Sequence, residues 1–175
     1  MRLNRYINEE LQQPTQEMID FYEKRTKGHI DRVRKNLYNI TEKMDDLNKV
    51  ELMARAKEHD KSKYSKEEYI PYIWITWYHK EKKNGFEYPS GIEKITEGAW
   101  KHHKKVNSHH PEHYNKPSDM SNEDIAEMVA DWMAMSQEFD NSLKLWADKN
   151  VGGKWKFNTD QVKLIYNIIY RVKRG

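Results

Sequence analysis

Apolar residues recur along this chain at the spacing of one helix face, and no alternating apolar and polar run of the kind that marks a strand persists. A first stripe predicts a long amphipathic helix over about residues 15–44, and its members are Ile19, Tyr22, Ile30, Val33, Leu37, Ile40 and Met44. A second helix is predicted over about 47–60, and its expected inward positions are Leu47, Val50, Met53 and Ala54. The N-terminal part of the chain is therefore predicted to be helical.

Two capping boxes of the form S-x-x-E predict the next two helix starts. The box at 65–68 opens a third helix that runs to about residue 82, and Pro71 within it predicts a kink or a broken start. The box at 90–93 opens a fourth helix that ends near Asn107, and its expected inward positions are Ile92, Ile95, Ala99 and Val106.

Two further helices complete the predicted fold. Ser121 opens a fifth helix, whose expected inward residues are Ile125, Met128, Val129, Trp132, Met135 and Phe139. Asn158 caps a last helix over about 158–173, whose expected inward residues are Val162, Ile165, Ile169 and Val172. The pattern therefore predicts an all-α fold, a single-domain helical bundle of five to six helices over residues 1–175.

The sequence contains no cysteine but eight histidines. The missing thiols exclude disulfide scaffolds, thiolate zinc sites, iron–sulfur clusters and cysteine nucleophiles. The chain also lacks H-E-x-x-H, a P-loop, G-x-G-x-x-G and G-x-S-x-G, which removes several common enzyme classes. Candidate chemistry therefore rests on imidazole and carboxylate groups.

The net charge and the apolar pattern limit the kinds of partner and the cellular location that are expected. The 31 basic residues exceed the 28 acidic ones by 3, a mild excess that disfavours nucleic acid as a partner without excluding it. The longest apolar stretch, 70–78, is interrupted by Pro71 and Thr76 and is too short to span a bilayer, so no membrane association is predicted. The first six residues lack the apolar region of a signal peptide, and a cytoplasmic location is expected.

Polar residues stand where a plain helical bundle would carry apolar ones. His29 lies on the first helix, His59 and Asp60 end the second, and Asp131 lies on the fifth. Between them are five more histidines, His102, His103, His109, His110 and His113. Imidazole and carboxylate donors suit divalent metals, and bundles build such sites from facing helices.

The order His29, His59-Asp60 and Asp131 resembles the HD superfamily of metal-dependent phosphohydrolases. The run from His59 to Lys63 is similar to that family's His-Asp-x-[Gly/Ser]-Lys motif. More narrowly, His103-x-x-x-Asn107-x-His109-His110-Pro111-Glu112, followed by 127–132, is similar to an uncharacterised HD-like family of bacteria and bacteriophages. The resemblance covers roughly residues 28–132.

The resemblance implies an all-α fold with a metal-site core at about 15–148, on which the last helix packs. It implies one divalent ion, Mn, Fe, Co, Ni, Zn or Mg, held by His29, His59, Asp60 and Asp131. A second ion would add His103 and either His109 or His110. The spacing within the narrower family favours His103 over His102, whereas helical phase favours His102.

The leading hypothesis is a metal-dependent phosphohydrolase that acts on a nucleotide or related phosphorylated small molecule. A metal-activated water held near Asp60 would attack phosphorus, and His103 or His110 would bind a second ion or protonate the leaving oxygen. Contacts to the substrate are assigned to Lys63, Ser62 and His109. If the chain is phage-encoded, the expected location becomes the host cytoplasm, and the oligomeric state stays open, a homodimer included.

Several alternatives compete with this hypothesis. The same ligands would serve a di-iron oxygenase, and a catalytically silent module would hold a nucleotide or a partner without turnover. Lys63 could be an ordinary surface lysine, and Asp131 an ordinary surface carboxylate. The aromatic residues at 69–78 are interpreted as core, although Trp77 and Tyr78 could border the pocket.

Overall fold

The computed structural model describes residues 12–173, and its regular structure there is helical apart from one isolated bridge between Val151 and Trp155. Its α-helices are α1 (Gln16–Thr41), α2 (Lys49–Glu58), α3 (Tyr69–Glu81), α4 (Ile92–Val106), α5 (Asn122–Phe139), α6 (Leu143–Asn150) and α7 (Thr159–Lys173). Short 3₁₀ turns lie at Lys61–Tyr64, Lys82–Asn84, Pro111–His113 and Pro117–Asp119. The predicted all-α single-domain fold is confirmed.

Residues 1–11 and 174–175, the two ends of the predicted domain, lie outside the described residues, and so does the segment on which the prediction of no signal peptide rests. Within 12–173, no helix combines the length and the apolar content that crossing a membrane requires.

Helix α6 is an addition to the five or six helices that the sequence predicts, so the described part of the chain has seven. The Ser142 hydroxyl caps α6 by accepting from the Leu145 backbone N–H. Its inward apolar residues are Leu143 and Ala147, one turn apart. A helix of eight residues with two such positions has too little periodicity to be recognised from the pattern.

The two predicted S-x-x-E capping boxes do not form. The helix start predicted at Ser121 is confirmed. Helix α3 begins only at Tyr69, because Glu68 turns into the protein instead of capping. Pro71 therefore falls in the first turn, where its missing N–H costs nothing, so the broken start is correct and no kink is needed. At α4 the capping position is taken by Gly91, which makes no side-chain cap. Ser121 forms a reciprocal capping box with Asp124.

The helices enclose two hydrophobic clusters. The larger cluster joins the C-terminal part of α1 to α2, α5, α6 and α7. The smaller cluster joins the N-terminal part of α1 to α3 and α4. His29 lies on α1 between Tyr22 of the smaller cluster and Val33 of the larger one. Polar groups gather at this boundary, which the clusters close off from solvent.

The buried face of α2 differs from the predicted one. Val50 is 82% exposed and Ala54 is exposed as well, whereas Leu52 and Ala56 are buried. The face formed by Leu52 and Ala56 continues along the helix to His59. Because His59 points into the protein, the residues on its face are the ones that are buried. Three other residues predicted to face inward are also exposed, in the last turns of α4 and α5, namely Val106, Met135 and Phe139.

A pair of substitutions on α2 tests this face. Leu52→Ala removes a fully buried side chain from the larger cluster and is expected to lower the free energy of unfolding by about 2–5 kcal/mol. Val50→Ala, two residues away and exposed, is expected to change it by less than about 0.5 kcal/mol. Urea denaturation followed by circular dichroism measures both, and equal effects would contradict the assigned face.

Candidate metal centre

Helices and one loop bring the predicted ligands to a single place inside the protein. His29 projects from the middle of α1, Asp131 from α5 and His103 from α4, while His59 and Asp60 follow the end of α2. His109 and His110 lie in the loop after α4. The buried members of this set are His29, His59, Asp60, His103 and His109, and the half-buried ones are Asp131 and His110.

The first group of ligand atoms comprises His29, His59, Asp131 and one oxygen of Asp60. His29 Nε2 lies 3.0 Å from Asp131 Oδ1 and 3.4 Å from Asp60 Oδ2. His59 Nε2 lies 3.6 Å from Asp60 Oδ2 and 3.8 Å from Asp131 Oδ1. Metal–ligand bonds of about 2.0–2.2 Å require ligand atoms roughly 3–4 Å apart, so the spacing of this group fits a divalent ion.

The second group comprises His103, His109 and His110, with ring nitrogens that all lie within 4.8 Å of one another. The other oxygen of Asp60 faces this group, because Asp60 Oδ1 is 3.3 Å from His103 Nε2 and 3.7 Å from His109 Nε2. The two oxygens of one carboxylate thus face two different groups of histidines.

Unpartnered polar atoms mark the same place. Buried side-chain atoms without a hydrogen bond include both ring nitrogens of His29, His59 Nε2, Asp60 Oδ1 and His110 Nε2. Buried polar atoms are otherwise almost always hydrogen-bonded, because leaving them unpaired costs about 1–3 kcal/mol each. Ring nitrogens and carboxylate oxygens that gather without hydrogen-bond partners suit a cation, so these buried groups could hold a metal ion.

The local backbone explains how Asp60 reaches the interior. The His59 N–H closes α2 on Arg55 O, and Asp60 then takes a left-handed conformation with φ of +57°. Aspartate is among the few residues that tolerate this conformation. The Lys63 N–H returns to Asp60 O, and the Tyr22 hydroxyl donates to Lys63 O at 2.8 Å. The chain therefore reverses sharply and is anchored to α1.

Two glutamates behind the histidines were not predicted. His59 Nδ1 donates to Glu127 Oε1 at 2.8 Å, and His103 Nδ1 donates to Glu68 Oε2 at 2.8 Å. Carboxylates in this position orient a ligand imidazole and fix its tautomer. Glu127 lies four residues before Asp131 on α5, so the i, i+4 spacing was a usable signal. No comparable signal marks Glu68, because its position in the sequence fits a predicted helix cap.

Opposing charges set the protonation states of the centre. Burial raises the pKa of Asp60, but electrostatic interaction with Lys63, above all, and with the neighbouring histidines holds it well below its usual range. Burial likewise raises the pKa of Glu127, and hydrogen bonds from His109 and His59 lower it to about 2. Burial and the neighbouring charges of His109 and His103 keep the pKa of His110 well below its usual value. Ionised carboxylates and a neutral His110 are both states that bind metals.

The predicted substrate contacts lie beside the centre. Lys63 Nζ is 2.5 Å from Asp60 Oδ2, so this lysine is not an isolated surface residue. The Ser62 hydroxyl donates to Glu68 Oε2 at 2.9 Å and accepts from Asn107 Nδ2 at 2.8 Å. His109, the third predicted substrate contact, belongs to the second histidine group and is a possible metal ligand as well.

The structure also separates the histidines that the sequence left open. His103 joins the second group, whereas His102 is half-buried and binds Glu68 Oε1 at 2.8 Å. Both His109 and His110 join that group. The exposed His113 contacts Lys105 O through Nδ1 and lies outside both groups.

The aromatic side chains that could have bordered the pocket lie among other aromatic residues. Trp77 packs edge-on against Phe21, and Tyr78 stacks on Tyr88 with ring centroids 4.7 Å apart. Trp77 and Tyr88, the residue on which Tyr78 stacks, both pack against the smaller hydrophobic cluster.

Removal of a central ligand is expected to abolish metal binding. His59→Ala deletes one ring nitrogen of the first group, and Asp60→Asn removes the negative charge shared by both groups while tolerating the left-handed backbone. Elemental analysis of the purified proteins is expected to find metal in the wild type and little in either variant. His79→Ala, an exposed histidine, is the control, and wild-type metal content in both ligand variants would disprove the site.

Comparison with known proteins gives one match. No curated protein and no solved structure matches the chain. A model described as a family of unknown function, DUF5662, matches residues 18–171, a range that contains both hydrophobic clusters and both groups of ligand atoms. The chain therefore belongs to DUF5662, a family of unknown function.

Proposed function

We propose that this protein is a metal-dependent phosphohydrolase that acts on a nucleotide or related phosphorylated small molecule, with one or two divalent ions. The observation that carries the proposal is the position of Asp60, whose two carboxylate oxygens face two separate groups of histidines. A carboxylate shared in this way is suited to hold two ions close together, as in two-metal sites that act on phosphate esters.

The bound ions would supply Lewis acidity, which lowers the pKa of water from 15.7 to about 7 and stabilises charge on a transferring phosphoryl group. The residues of the chain provide the setting for this chemistry. The carboxylates of Asp60 and Asp131 supply the negative charge that holds the ions. Asp131 is the more exposed of the two, at 17% of its side chain against 1%, so the substrate would approach from its side.

Lys63 is the residue best placed to receive the phosphate. Its ammonium group already reaches Asp60 at the centre, its side chain is 17% exposed, and a flexible stem allows it to turn toward a phosphoryl oxygen. A positive charge at that position would stabilise the negative charge that develops during phosphoryl transfer.

An arginine pair supports an anionic substrate. Arg25 and Arg32 lie one turn to either side of His29 on α1, and both bind Glu138, two turns beyond Asp131 on α5. Two guanidinium groups against one carboxylate leave a net positive charge next to the more exposed edge of the centre. This charge would favour approach of a phosphorylated molecule.

The resemblance to the HD superfamily supports the same proposal. The residues that carry the resemblance come from three separate stretches of the sequence, His29, His59-Asp60 and Asp131, and belong to one group of candidate ligand atoms. The lysine of the motif, Lys63, contacts the aspartate of the same motif.

A hydrolysis assay tests the function. Metal-loaded protein is expected to release phosphate from members of a nucleotide and phosphoester panel in Mn²⁺, Co²⁺, Mg²⁺ or Zn²⁺. Lys63→Ala is expected to lower kcat/KM about 100-fold or more, by analogy with loss of one group that stabilises developing charge. Lys61→Ala, a neighbouring exposed lysine bound to Glu58, is expected to leave the rate unchanged.

Two results would contradict the proposal. Metal-loaded wild-type protein that turns over no member of the panel would favour a binding module. Bound iron with an optical signature and oxygen consumption would favour the di-iron oxygenase instead.

A further inference from the structure

Glu127 contacts one histidine from each group of candidate ligands. Its Oε1 atom lies 2.8 Å from His59 Nδ1, in the first group, and 3.4 Å from His109 Nδ1, in the second. Its side chain is 7% exposed, so water does not replace these contacts readily. One buried carboxylate oxygen is thus shared by imidazoles that belong to two different groups.

The contact determines which ring nitrogen of each histidine is free for a metal. A carboxylate accepts a hydrogen bond, so Nδ1 must carry the proton and Nε2 keeps its lone pair. The Nε2 atom of His59 faces Asp60 Oδ2, and the Nε2 atom of His109 faces Asp60 Oδ1. Glu127 therefore orients both rings so that the Nε2 atom of each, the nitrogen free to bind a metal, faces one of the two oxygens of Asp60.

Glu127 is itself held in place. Arg55 Nη1 donates to Glu127 Oε2 at 3.3 Å and to Asp124 Oδ1 at 2.7 Å. Both acidic residues lie on α5, so the guanidinium group joins the end of α2 to α5 directly behind the centre. A carboxylate fixed from behind cannot follow one histidine without disturbing its contact with the other.

Glu68 provides the contrast. It binds His103 through Oε2 and His102 through Oε1, each at 2.8 Å, and both histidines lie on α4. Only His103 belongs to a ligand group. Glu68 therefore supports the second group alone, whereas Glu127 supports both.

We infer that Glu127 is a positioning residue that couples the two metal sites, so that an ion bound at one group orders a histidine of the other. The inference rests on the metal-binding part of the proposed function and not on hydrolysis. It requires each site to bind more tightly when its neighbour is filled, because the filled site then fixes the histidine ring that shares the Glu127 carboxylate with the other site.

The histidine tautomers test the inference without any metal. In metal-free wild-type protein, two-bond ¹⁵N–¹H correlation spectra are expected to show His59 and His109 protonated at Nδ1. In Glu127→Gln both rings are expected to lose this preference, while in Glu68→Gln only His103 and His102 change. A wild-type protein in which the single ring proton of either His59 or His109 lies on Nε2 would overturn the inference, whatever the protein catalyses.

Metal titration tests the coupling itself. Wild-type protein titrated with Co²⁺, followed by its visible absorption, is expected to take up two ions cooperatively. Glu127→Gln is expected to weaken both steps by about 10–100-fold and to abolish cooperativity, whereas Glu68→Gln weakens one step by a similar factor. Thermal unfolding monitored by circular dichroism confirms that each variant is folded before titration.

The contrary outcomes are distinct. The coupling would be overturned if Glu127→Gln weakened only one of the two metal-binding steps, or if Glu68→Gln weakened both steps equally. Uptake of a single ion by the wild type would overturn the coupling and leave a one-metal phosphohydrolase intact. Two cooperative ions without turnover of any phosphoester would support the coupling and reject the proposed function.

Discussion

Burial of an ionised carboxylate such as Asp60, of which about 1% is exposed, costs several kcal/mol unless cations or hydrogen-bond donors surround it. The structure meets this cost with side chains from every direction. Lys63 comes from the same turn, His29 from α1, His59 from the end of α2 and His103 from α4. These elements converge on the carboxylate of Asp60, which has no access to water. The same convergence brings together the lone pairs that could hold a metal ion.

The division of the hydrophobic core into two clusters makes this burial possible. Each cluster is continuous and apolar, α1 passes through both, and the cluster of candidate ligands lies where they meet. Ligands placed on helices at such a boundary are held rigidly by packing on two sides, which favours a fixed metal geometry. The exceptions are His59 and Asp60, which follow the end of α2, and His109 and His110, which lie in a loop. The Asn107 side chain, which binds Ser62 and the carbonyl of His103, fixes the start of that loop.

The long helices could be predicted from local periodicity, and the candidate ligands from the order of His and Asp residues that resembles the HD superfamily. The period of α1 is repeated often enough to be unambiguous, and His59-Asp60 with Lys63 form a contiguous motif. The rest depends on contacts between distant segments. The phase of α2 follows from where His59 must point, which Val50 and Leu52 do not reveal. Glu68 meets His103 across 35 positions, and no spacing rule connects α3 with α4.

Glu127 and Asp131 lie on the same face of α5 but contact the centre in different ways. They are one turn apart on α5, yet Asp131 is a candidate ligand and Glu127 holds the far side of the histidines. The side chain of Asp131 is 17% exposed and that of Glu127 is 7%, so Asp131 is the more accessible of the two. In the proposed function, Asp131 and Lys63 are the groups that would meet the substrate. Since Arg55 and two histidines occupy Glu127, it is excluded as a proton donor to that substrate, and its effect must pass through the rings that it orients.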